Sequence, residues 1–286
     1  MATIPGSHYV ATAPGQPVNV VETMTGMGLP PPMPGAFNLE VFVGGAASSN
    51  VVLGYQGLAV LSPSGNQLDL VAGGFAVTDN GSGNDTIDAR GVRETIVGGA
   101  SGGTLNLFGS LDEAHGGSGP DTINVFGGSD LVIGGSGSDT INVFASTSTL
   151  PGGSGGDVIT GGSGTDLINV FGSSSHINQG TGSDTINVFG SSDTVTAGVA
   201  VGANQGTVNV FGSGTTLADG GNKFADTVVG FDQSAGDRIH LTTDTVADAV
   251  AHSTQVHGGA DTMITLSDGS TILLKGVSHI DPSFFS

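Results

Sequence analysis

The fold of this chain is decided by a nine-residue unit with a glycine-rich first half and an aspartate at its sixth position. The clearest copies are GGSGPDTIN at 116–124, GGSGSDTIN at 134–142, GGSGGDVIT at 152–160, GGSGTDLIN at 161–169 and QGTGSDTIN at 179–187. Thirteen units of this length follow one another from 80 to 196 without a break. A fixed period of this kind predicts a repeat fold and not an ordinary globular core.

Each unit is predicted to form a tight turn followed by a short strand. Glycine at the first, second and fourth positions permits a positive φ and a close approach of neighbouring backbones. The eighth residue should point inward, because side chains alternate along a strand. These inward residues are Ile87, Ile123, Ile141, Ile159, Ile168 and Ile186. The predicted fold is all-β, a right-handed parallel β-roll or β-helix solenoid of about 18 residues per coil with a β-rich C-terminal cap.

The aspartate at position six predicts a metal site between successive coils. Stacked turns bring Asp carboxylates and turn carbonyls into one oxygen-lined gap, which suits Ca²⁺ because that ion takes six or more oxygens at about 2.4 Å. The absence of cysteine disfavours zinc. The alternative is that Asp only forms the turn. The residues predicted to hold several Ca²⁺ ions are Asp85, Asp121, Asp139, Asp157, Asp166, Asp184, Gly116, Ser118, Gly134, Ser136, Gly152, Ser154, Gly161 and Ser163.

A constant coil of two units predicts which aspartates are neighbours. One edge of the solenoid would carry Asp121, Asp139 and Asp157, and the other edge Asp166 and Asp184. Asp139 would then share its metal sites with Asp121 and Asp157, while Asp166 would share one with Asp184. A constant coil therefore predicts that the turns that bind metal move from one edge of the solenoid to the other near residue 155.

The intervening units carry Val-Phe-Gly, or a close variant, where a glycine turn would otherwise stand. Their aromatic residues are Phe108, Phe126, Phe144, Phe171, Phe189 and Phe211. A constant coil places the first three on one edge and the last three on the other, provided that a four-residue insertion within 197–209 bulges out. Two interpretations are open. Phe either plugs a wide turn and packs inward, or projects outward, because alternation after an inward Ile puts Asn out, Val in and Phe out. Two outward ladders would form an assembly surface.

Asparagine at position nine is predicted to stack in the same way. The residues concerned are Asn106, Asn124, Asn142, Asn169 and Asn187. Aligned side-chain amides hydrogen-bond to one another along a stack, as they do between strands of a fibril. We therefore expect the asparagines to link the coils.

Composition narrows the class of partner. The net charge is −20, from 25 acidic residues and five basic ones, so the surface repels nucleic acid and anionic membranes. The acidity either serves solubility or binds several cations. No apolar run approaches the length of a membrane span, and the first residues lack the basic and apolar regions of a secretory signal. The matches to G-x-S-x-G at 99–103 and 152–156 lack a strand–elbow–helix context, so no catalytic centre is expected.

Four segments are predicted along the chain. Residues 1–36 hold seven of the eleven prolines and are expected to form either an extended arm or an unstructured terminus. Residues 37–79 are a β-rich lead-in, and 80–218 form the solenoid. Residues 219–286 are a cap of hairpins or wider coils, in which only 244–252 suits a short helix.

These residues resemble the RTX (repeats-in-toxin) family of calcium-binding proteins exported by type I secretion. Residues 225–286 are similar to the segment that closes such arrays and carries an uncleaved export signal, and Asp281 before Phe284 and Phe285 is similar to the end of that signal. The resemblance implies an extracellular or cell-surface location and type I secretion machinery as a partner. The chain departs from the family in its Val-Phe-Gly units and in the absence of a protease, lipase or pore-forming domain.

The function expected from these features is structural. The chain would bind calcium outside the cell, fold on export and self-assemble into a homo-oligomer or polymer, as a surface layer, filament or biofilm matrix. The alternative is a monomeric secreted adhesin or host-directed effector. An enzyme is not expected.

Overall fold

The computed structural model describes residues 84–144, 157–198, 205–221 and 223–286, together with the strand backbone of the N-terminal part. Seven strands lie in that part: β1 (Ser7–Ala11), β2 (Asn19–Val21), β3 (Leu39–Val43), β4 (Asn50–Leu53), β5 (Gly57–Leu61), β6 (Gln67–Leu70) and β7 (Ala76–Asp79). Strands β1 and β2 lie in the segment predicted as an arm, and β3 to β7 lie in the lead-in. The remainder of 1–36 lies outside the described residues.

Short strands continue at regular intervals through the repeats. The first of them are β8 (Asp85–Ala89), β9 (Thr95–Val97), β10 (Gly103–Leu107), β11 (Glu113–Gly117), β12 (Thr122–Val125), β13 (Leu131–Gly137), β14 (Thr140–Val143) and β15 (Val158–Thr160). The next are β16 (Ser163–Gly164), β17 (Leu167–Val170), β18 (His176–Asn178), β19 (Thr181–Gly182), β20 (Thr185–Val188), β21 (Thr194–Thr196), β22 (Gln205–Val210) and β23 (Thr216–Ala218). Their side chains alternate between buried and partly exposed, as a strand with one buried face requires.

The strands form two parallel sheets that face each other across the core. The first sheet runs β1-β3-β5-β7-β9-β11-β13-β15-β18-β21-β23, the second runs β2-β4-β6-β8-β10-β12-β14-β17-β20-β22, and both continue into the strands of the cap. Each coil gives one strand to each sheet. The all-β parallel solenoid is therefore confirmed.

Inward apolar residues fill the space between the sheets. The isoleucines at position eight are fully buried, as predicted, and Val125, Val143, Val170 and Val188 beside them are buried equally well. Branched side chains stack on their equivalents at strand spacing, so the core is one continuous column.

The coil length is not constant. Most coils advance by 18 residues, as between Thr122 and Thr140, but Thr140 pairs with Leu167, nine residues later than a constant coil allows. Thr185 pairs with Thr207, which confirms the predicted insertion of four residues. The expected exchange of edges near residue 155 is wrong, because the coil that includes residues 145–156 is nine residues longer than its neighbours and the same register resumes at Val158.

The cap closes the solenoid with antiparallel strands. It contains β24 (Ala225–Val229), β25 (Arg238–His240), α1 (Val246–Ala251), β26 (Ser253–Val256), β27 (Asp261–Thr265) and β28 (Thr271–Lys275), with 3₁₀ turns at Gln233–Ala235, His257–Gly259 and Pro282–Phe284. Strand β28 continues the second sheet in parallel, and β27 and β26 follow as antiparallel neighbours. Both the hairpins and the short helix were predicted. Across the described ranges, no helix has the length and apolar character needed to cross a membrane.

Candidate metal centre and its surroundings

Four glycine turns stack directly on one another before strands β12, β14, β17 and β20. They are the segments 116–121, 134–139, 161–166 and 179–184, which we call the glycine-turn edge. Their second positions have positive φ, and so do the fourth positions of the last three turns, for example 106° at Gly162 and 150° at Gly164. A Cβ on Gly164 would lie 1.4 Å from the carbonyl oxygen of Gly137 in the neighbouring coil. Glycine is therefore required here both by backbone conformation and by the close approach of coils.

The aspartates of these turns form a hydrogen-bonded ladder. The backbone N–H of Asp121 donates to Oδ1 of Asp139 at 2.8 Å, that of Asp139 to Asp166 at 2.8 Å, and that of Asp166 to Asp184 at 2.9 Å. All four residues are buried. Position six therefore has a structural role in joining coils, which does not depend on metal.

The second carboxylate oxygen has a different environment. Oδ2 of Asp139 and Oδ2 of Asp166 are buried and find no hydrogen-bond partner among the described residues. A Cβ placed on Gly134 would lie 2.7 Å from Asp139 Oδ2 and 2.1 Å from the carbonyl oxygen of Gly161. A carboxylate oxygen and a carbonyl oxygen of the next coil thus lie near each other, and a cation or a proton is needed to stabilise them.

Burial raises the pKa of these carboxyl groups. The pKa of Asp166 rises to about 7, first because of burial and then because of the charges of Asp184 and Asp139, although the N–H of Asp139 opposes the change. Burial also raises the pKa of Asp139 and Asp184. Each charge is therefore costly unless a cation neutralises it.

The ligand set fits calcium. The described residues contain no cluster of three or more His, Cys, Asp or Glu side chains that would hold a metal. A site on this edge would combine one carboxylate per coil with turn carbonyls, all of them oxygen donors of the type that Ca²⁺ prefers. The predicted ligands Gly116, Ser118, Gly134, Ser136, Gly161 and Ser163 lie in these turns, and Ser136 and Ser163 pair in a short ladder with Thr181.

One predicted metal position differs from expectation. Asp157 does not neighbour Asp139, because β15 pairs with β13 and the N–H of Asp130 donates to Asp157 Oδ1 at 3.0 Å. Gly103 lies between Asp85 and Asp121 and pairs with Asp85 in the second sheet, as a coil of 18 residues predicts for this part of the chain. Gly152 and Ser154 lie outside the described residues. The neighbouring pairs Asp121 with Asp139 and Asp166 with Asp184 occur as expected, and Asp139 next to Asp166 joins them into one run.

The opposite edge repeats the aspartate ladder on a different turn. Its turns follow the phenylalanines and end at Asp112, Asp130, Asp157, Ser175 and Asp193; we call it the Phe-turn edge. The N–H of Asp112 donates to Asp130 Oδ1 at 2.9 Å. Positive φ falls here on position five, at Leu111, Ser129, Ser174 and Ser192, with values of 60–65°. Of these aspartates the sequence analysis selected only Asp157, although the recurrence of Asp at position six was the available signal for the others.

The aspartates of the Phe-turn edge are buried as deeply as those of the glycine-turn edge. Burial raises the pKa of Asp112 and Asp157 to about 7, and that of Asp130 and Asp193 to about 6. Oδ2 of Asp112 and Oδ2 of Asp130 have no hydrogen-bond partner within the described ranges. Both edges thus carry buried carboxyl groups.

Six phenylalanines form one continuous ladder at the start of the Phe turns. The rings of Phe108, Phe126, Phe144, Phe171, Phe189 and Phe211 are stacked, with centroids 4.6–5.3 Å apart and planes within 9°. Five of them are 39–63% exposed, so the rings project outward. A constant coil predicts two ladders of three rings on opposite edges, and this prediction is wrong. The nine extra residues lie between Phe144 and Asp157, so Phe171 returns to the edge that carries Phe144. The guanidinium of Arg90 lies 4.7 Å from the Phe108 ring centroid and covers that end.

A ladder of asparagines runs parallel to the phenylalanines. Nδ2 of each residue donates to Oδ1 of the preceding one at 2.8–2.9 Å, through Asn209, Asn187, Asn169, Asn142, Asn124 and Asn106. The last donor, Asn106, reaches Oδ1 of Asp88 at 2.7 Å. All six amides therefore point the same way along the solenoid and end on a carboxylate, as expected for a stack with one donor and one acceptor per rung.

The repeats match a known family. Residues 110–141 and 149–170 match the model of the RTX calcium-binding nonapeptide repeat, in four copies. A search of curated proteins finds no match to the chain. The predicted resemblance is thereby confirmed over the central part of the solenoid.

Proposed function

We propose that this chain is a secreted calcium-binding structural protein that folds after export and then self-assembles. Its solenoid contains RTX calcium-binding nonapeptide repeats at residues 110–141 and 149–170. The observation that carries the proposal is the run of four glycine turns with their buried aspartates. Asp121, Asp139, Asp166 and Asp184 would hold the ions together with turn carbonyls, and the bound calcium would supply the positive charge that the turns lack.

Calcium binding would be coupled to folding. The glycine turns exist only when coils stack, so the ligands come together only in the folded chain. A ligand present at about 100 times its Kd stabilises a folded state by about 2.7 kcal/mol per site, and the shared aspartates make neighbouring sites depend on one another. Several such sites would decide whether the solenoid forms.

The charge distribution supports a chain that stays unfolded when calcium is scarce. Residues 104–211 contain nine acidic side chains and neither lysine nor arginine. Eight of the nine are aspartates at position six, all of them buried in the folded solenoid. Stacking these carboxylates without cations is opposed by their mutual repulsion and by their desolvation.

The packing of the C-terminus fits export before folding. Phe285 is buried and pairs with Ile239, and the ring of Phe284 stacks on Phe231 with centroids 5.9 Å apart. Asp281 caps the last 3₁₀ turn through a hydrogen bond from the N–H of Ser283 at 2.7 Å. If this end is the uncleaved signal for the type I secretion machinery, it is readable only while the chain is unfolded.

The proposed role is structural and not enzymatic. RTX repeats are typically structural units, and the Phe ladder gives the solenoid an exposed apolar stripe of the kind that mediates protein contacts. A homo-oligomer or polymer outside the cell, as a surface layer, filament or biofilm matrix, is the proposed product.

A calcium titration tests this proposal. The chain is freed of calcium with a chelator and followed by circular dichroism and light scattering as Ca²⁺ is added, with Mg²⁺ as the control ion. We expect β-structure to form first and scattering to rise afterwards, with filaments or sheets visible by negative-stain microscopy. A solenoid that is fully formed in chelator contradicts the folding step. A folded chain that stays monomeric at high concentration contradicts self-assembly and favours the monomeric binding protein.

A further inference from the structure

We propose that the outer face of the second sheet is a pairing surface, on which two copies of this chain pack face to face with their solenoid axes antiparallel. The inference rests on the proposed self-assembly and identifies the surface that performs it. The surface, called here the Thr-Asn-Phe face, has three columns. They are Thr104, Thr122, Thr140, Thr185 and Thr207, with Leu167 in the same column; the six ladder asparagines; and the six ladder phenylalanines.

The face is regular because the sequence repeats T-x-N-x-F along each strand. Threonine and asparagine alternate with inward Ile and Val, and Phe follows at the end of the strand. Parallel pairing sets each residue beside its equivalent, so every column is straight over six coils. The asparagine amides are held by their own ladder and the rings by stacking, so little side-chain freedom remains to be lost on contact.

Charge favours a second copy as the occupant. The chain carries a net charge of −20, yet the three columns contain no ionisable side chain from Thr104 to Phe211. Two such acidic chains repel each other over most of their surface, and this face is one place where they can approach without that cost. A nucleic acid, an anionic membrane or a basic protein finds no charge on it to bind.

Calcium would lower the remaining repulsion. In residues 104–211 the only acidic side chain that is not a buried aspartate of position six is Glu113, and it lies on the first sheet. Cations bound at the aspartates therefore cancel most of the charge behind the Thr-Asn-Phe face. Pairing should follow calcium binding and not precede it.

The column order decides the orientation. When two copies face each other with antiparallel axes, Phe meets Phe and Asn meets Asn, so apolar surface covers apolar surface. When the axes are parallel, Phe meets Thr. The asparagine ladder also favours antiparallel axes. All its N–H groups point toward Asp88, and two facing ladders attract each other only if they run in opposite directions.

The size of the face makes the pair weak. Six coils at about 4.8 Å spacing and a width of four residues at about 3.3 Å give roughly 25 Å by 13 Å. This area of a few hundred Å² is below the roughly 800 Å² per partner of a stable complex. We therefore expect a dimer that depends on protein concentration and that becomes permanent only within a larger assembly.

Charge substitutions test the location of the interface. Thr140→Lys with Thr185→Lys places two charges on the face, and Thr160→Lys with Thr194→Lys places two charges on the outer side of the first sheet as the matched control. All four threonines are half-buried strand residues, so both variants change net charge and strand propensity equally. In sedimentation velocity with Ca²⁺, we expect wild type and control to associate and the face variant to remain a folded monomer.

The outcomes separate the two proposals. A face variant that associates as strongly as wild type overturns the interface and leaves self-assembly intact. A wild-type chain that stays monomeric overturns both. A face variant that loses its circular dichroism spectrum is replaced by Phe144→Ser with Phe171→Ser, for which loss of association in a folded chain supports the interface and retained association overturns it.

Disulfide trapping tests the orientation, since the chain contains no cysteine of its own. Two single variants, Thr104→Cys and Thr207→Cys, lie at opposite ends of the threonine column and are mixed with one of them carrying a mass tag. Antiparallel pairing predicts the mixed 104–207 disulfide under mild oxidation in Ca²⁺. A predominance of 104–104 and 207–207 products overturns the antiparallel arrangement.

Discussion

The two edges of the solenoid share one aspartate ladder but carry it on different turns. On the glycine-turn edge, left-handed glycines let neighbouring backbones nearly touch, as at Gly164 and Gly137. On the Phe-turn edge, the left-handed position moves to residue five, where Ser129 and Leu111 adopt φ of 65° and 62°, and an aromatic ring occupies the second position. Both edges nevertheless bring a carbonyl oxygen close to the aspartate, since a Cβ on Gly127 would lie 1.5 Å from the carbonyl oxygen of Gly109 and 3.1 Å from Asp130 Oδ2. The comparison teaches that the same buried carboxylate can be carried by two backbones, and we expect calcium to prefer the edge whose turns hold consecutive glycines.

The largest expected effect comes from filling a glycine turn. Gly164→Ala places a Cβ 1.4 Å from a backbone oxygen at a φ of 150°, so it should lower the free energy of unfolding by about 3 kcal/mol or more. Gly214→Ala on the Phe-turn edge is the control, because φ is 67° and the nearest atom lies 3.7 Å away. Its expected cost is about 1 kcal/mol. Chemical denaturation in Ca²⁺ measures both, and equal losses would show that the crowding of Gly164 against the neighbouring coil adds nothing to the cost of its backbone conformation.

The next effect concerns calcium affinity. Asp139→Asn keeps an acceptor for the N–H of Asp121 but removes a charge shared by two neighbouring sites, so the half-saturating calcium concentration should rise at least about tenfold, or about 1.4 kcal/mol. Asp130→Asn makes the same change on the Phe-turn edge and should leave that concentration within about twofold. Isothermal titration calorimetry, or the midpoint of a calcium titration followed by circular dichroism, measures the half-saturating calcium concentration. An equal shift in both variants would mean that the Phe-turn edge also holds ions.

Both edges should respond alike to pH when calcium is absent. The pKa of Asp166 and Asp112 is about 7 in the folded chain, against 3.8 for an unperturbed Asp, so the folded state binds more protons than the unfolded state between these values. Stability without calcium should therefore fall as the pH rises from about 4 through 7. Circular dichroism in chelator at pH 5 and pH 8 tests the sign, and we expect more β-structure at pH 5. More β-structure at pH 8 than at pH 5 would contradict the burial of these carboxyl groups as acids.

The smallest effect is a difference in stability between two positions of the Phe ladder. Phe171→Ala removes a ring with a neighbour on each side and should cost about 1–3 kcal/mol, whereas Phe211→Ala removes a terminal ring and should cost about half as much. Thermal denaturation of the monomeric protein compares them. Equal costs would show that ring stacking contributes little and that the ladder serves contacts between molecules.

The sequence predicted the local structure well, because every nine-residue unit contains both the turn glycines and the alternation of apolar and polar residues that determine it. Alternation put Ile123 and Ile141 inside and Asn124 outside, and the glycines marked the turns. It also predicted the short helix that includes Ala249 and the hairpins of the cap.

The arrangement of neighbours could not be read from the period alone. Counting in constant coils paired Asp139 with Asp157, but a turn can absorb a whole unit at small entropic cost and keep the favourable register. Continuity of like side chains is what fixed that register: Phe144 stacks on Phe171, and Asn169 bonds to Asn142. The outward direction of Phe followed from alternation, yet inward packing was equally consistent with its apolar character.

The asparagine ladder affects how the number of coils in such a protein can change during evolution. Every rung between the two ends takes one hydrogen bond from the next rung and gives one to the previous rung, and the series runs from Asn209 to Asp88. A duplicated or deleted coil therefore adds or removes one donor together with one acceptor, and leaves none unsatisfied at the junction. The same holds for each Phe ring and each inward Ile. Length is thus a property that this architecture can vary in steps of one coil, while the two ends of the chain stay unchanged.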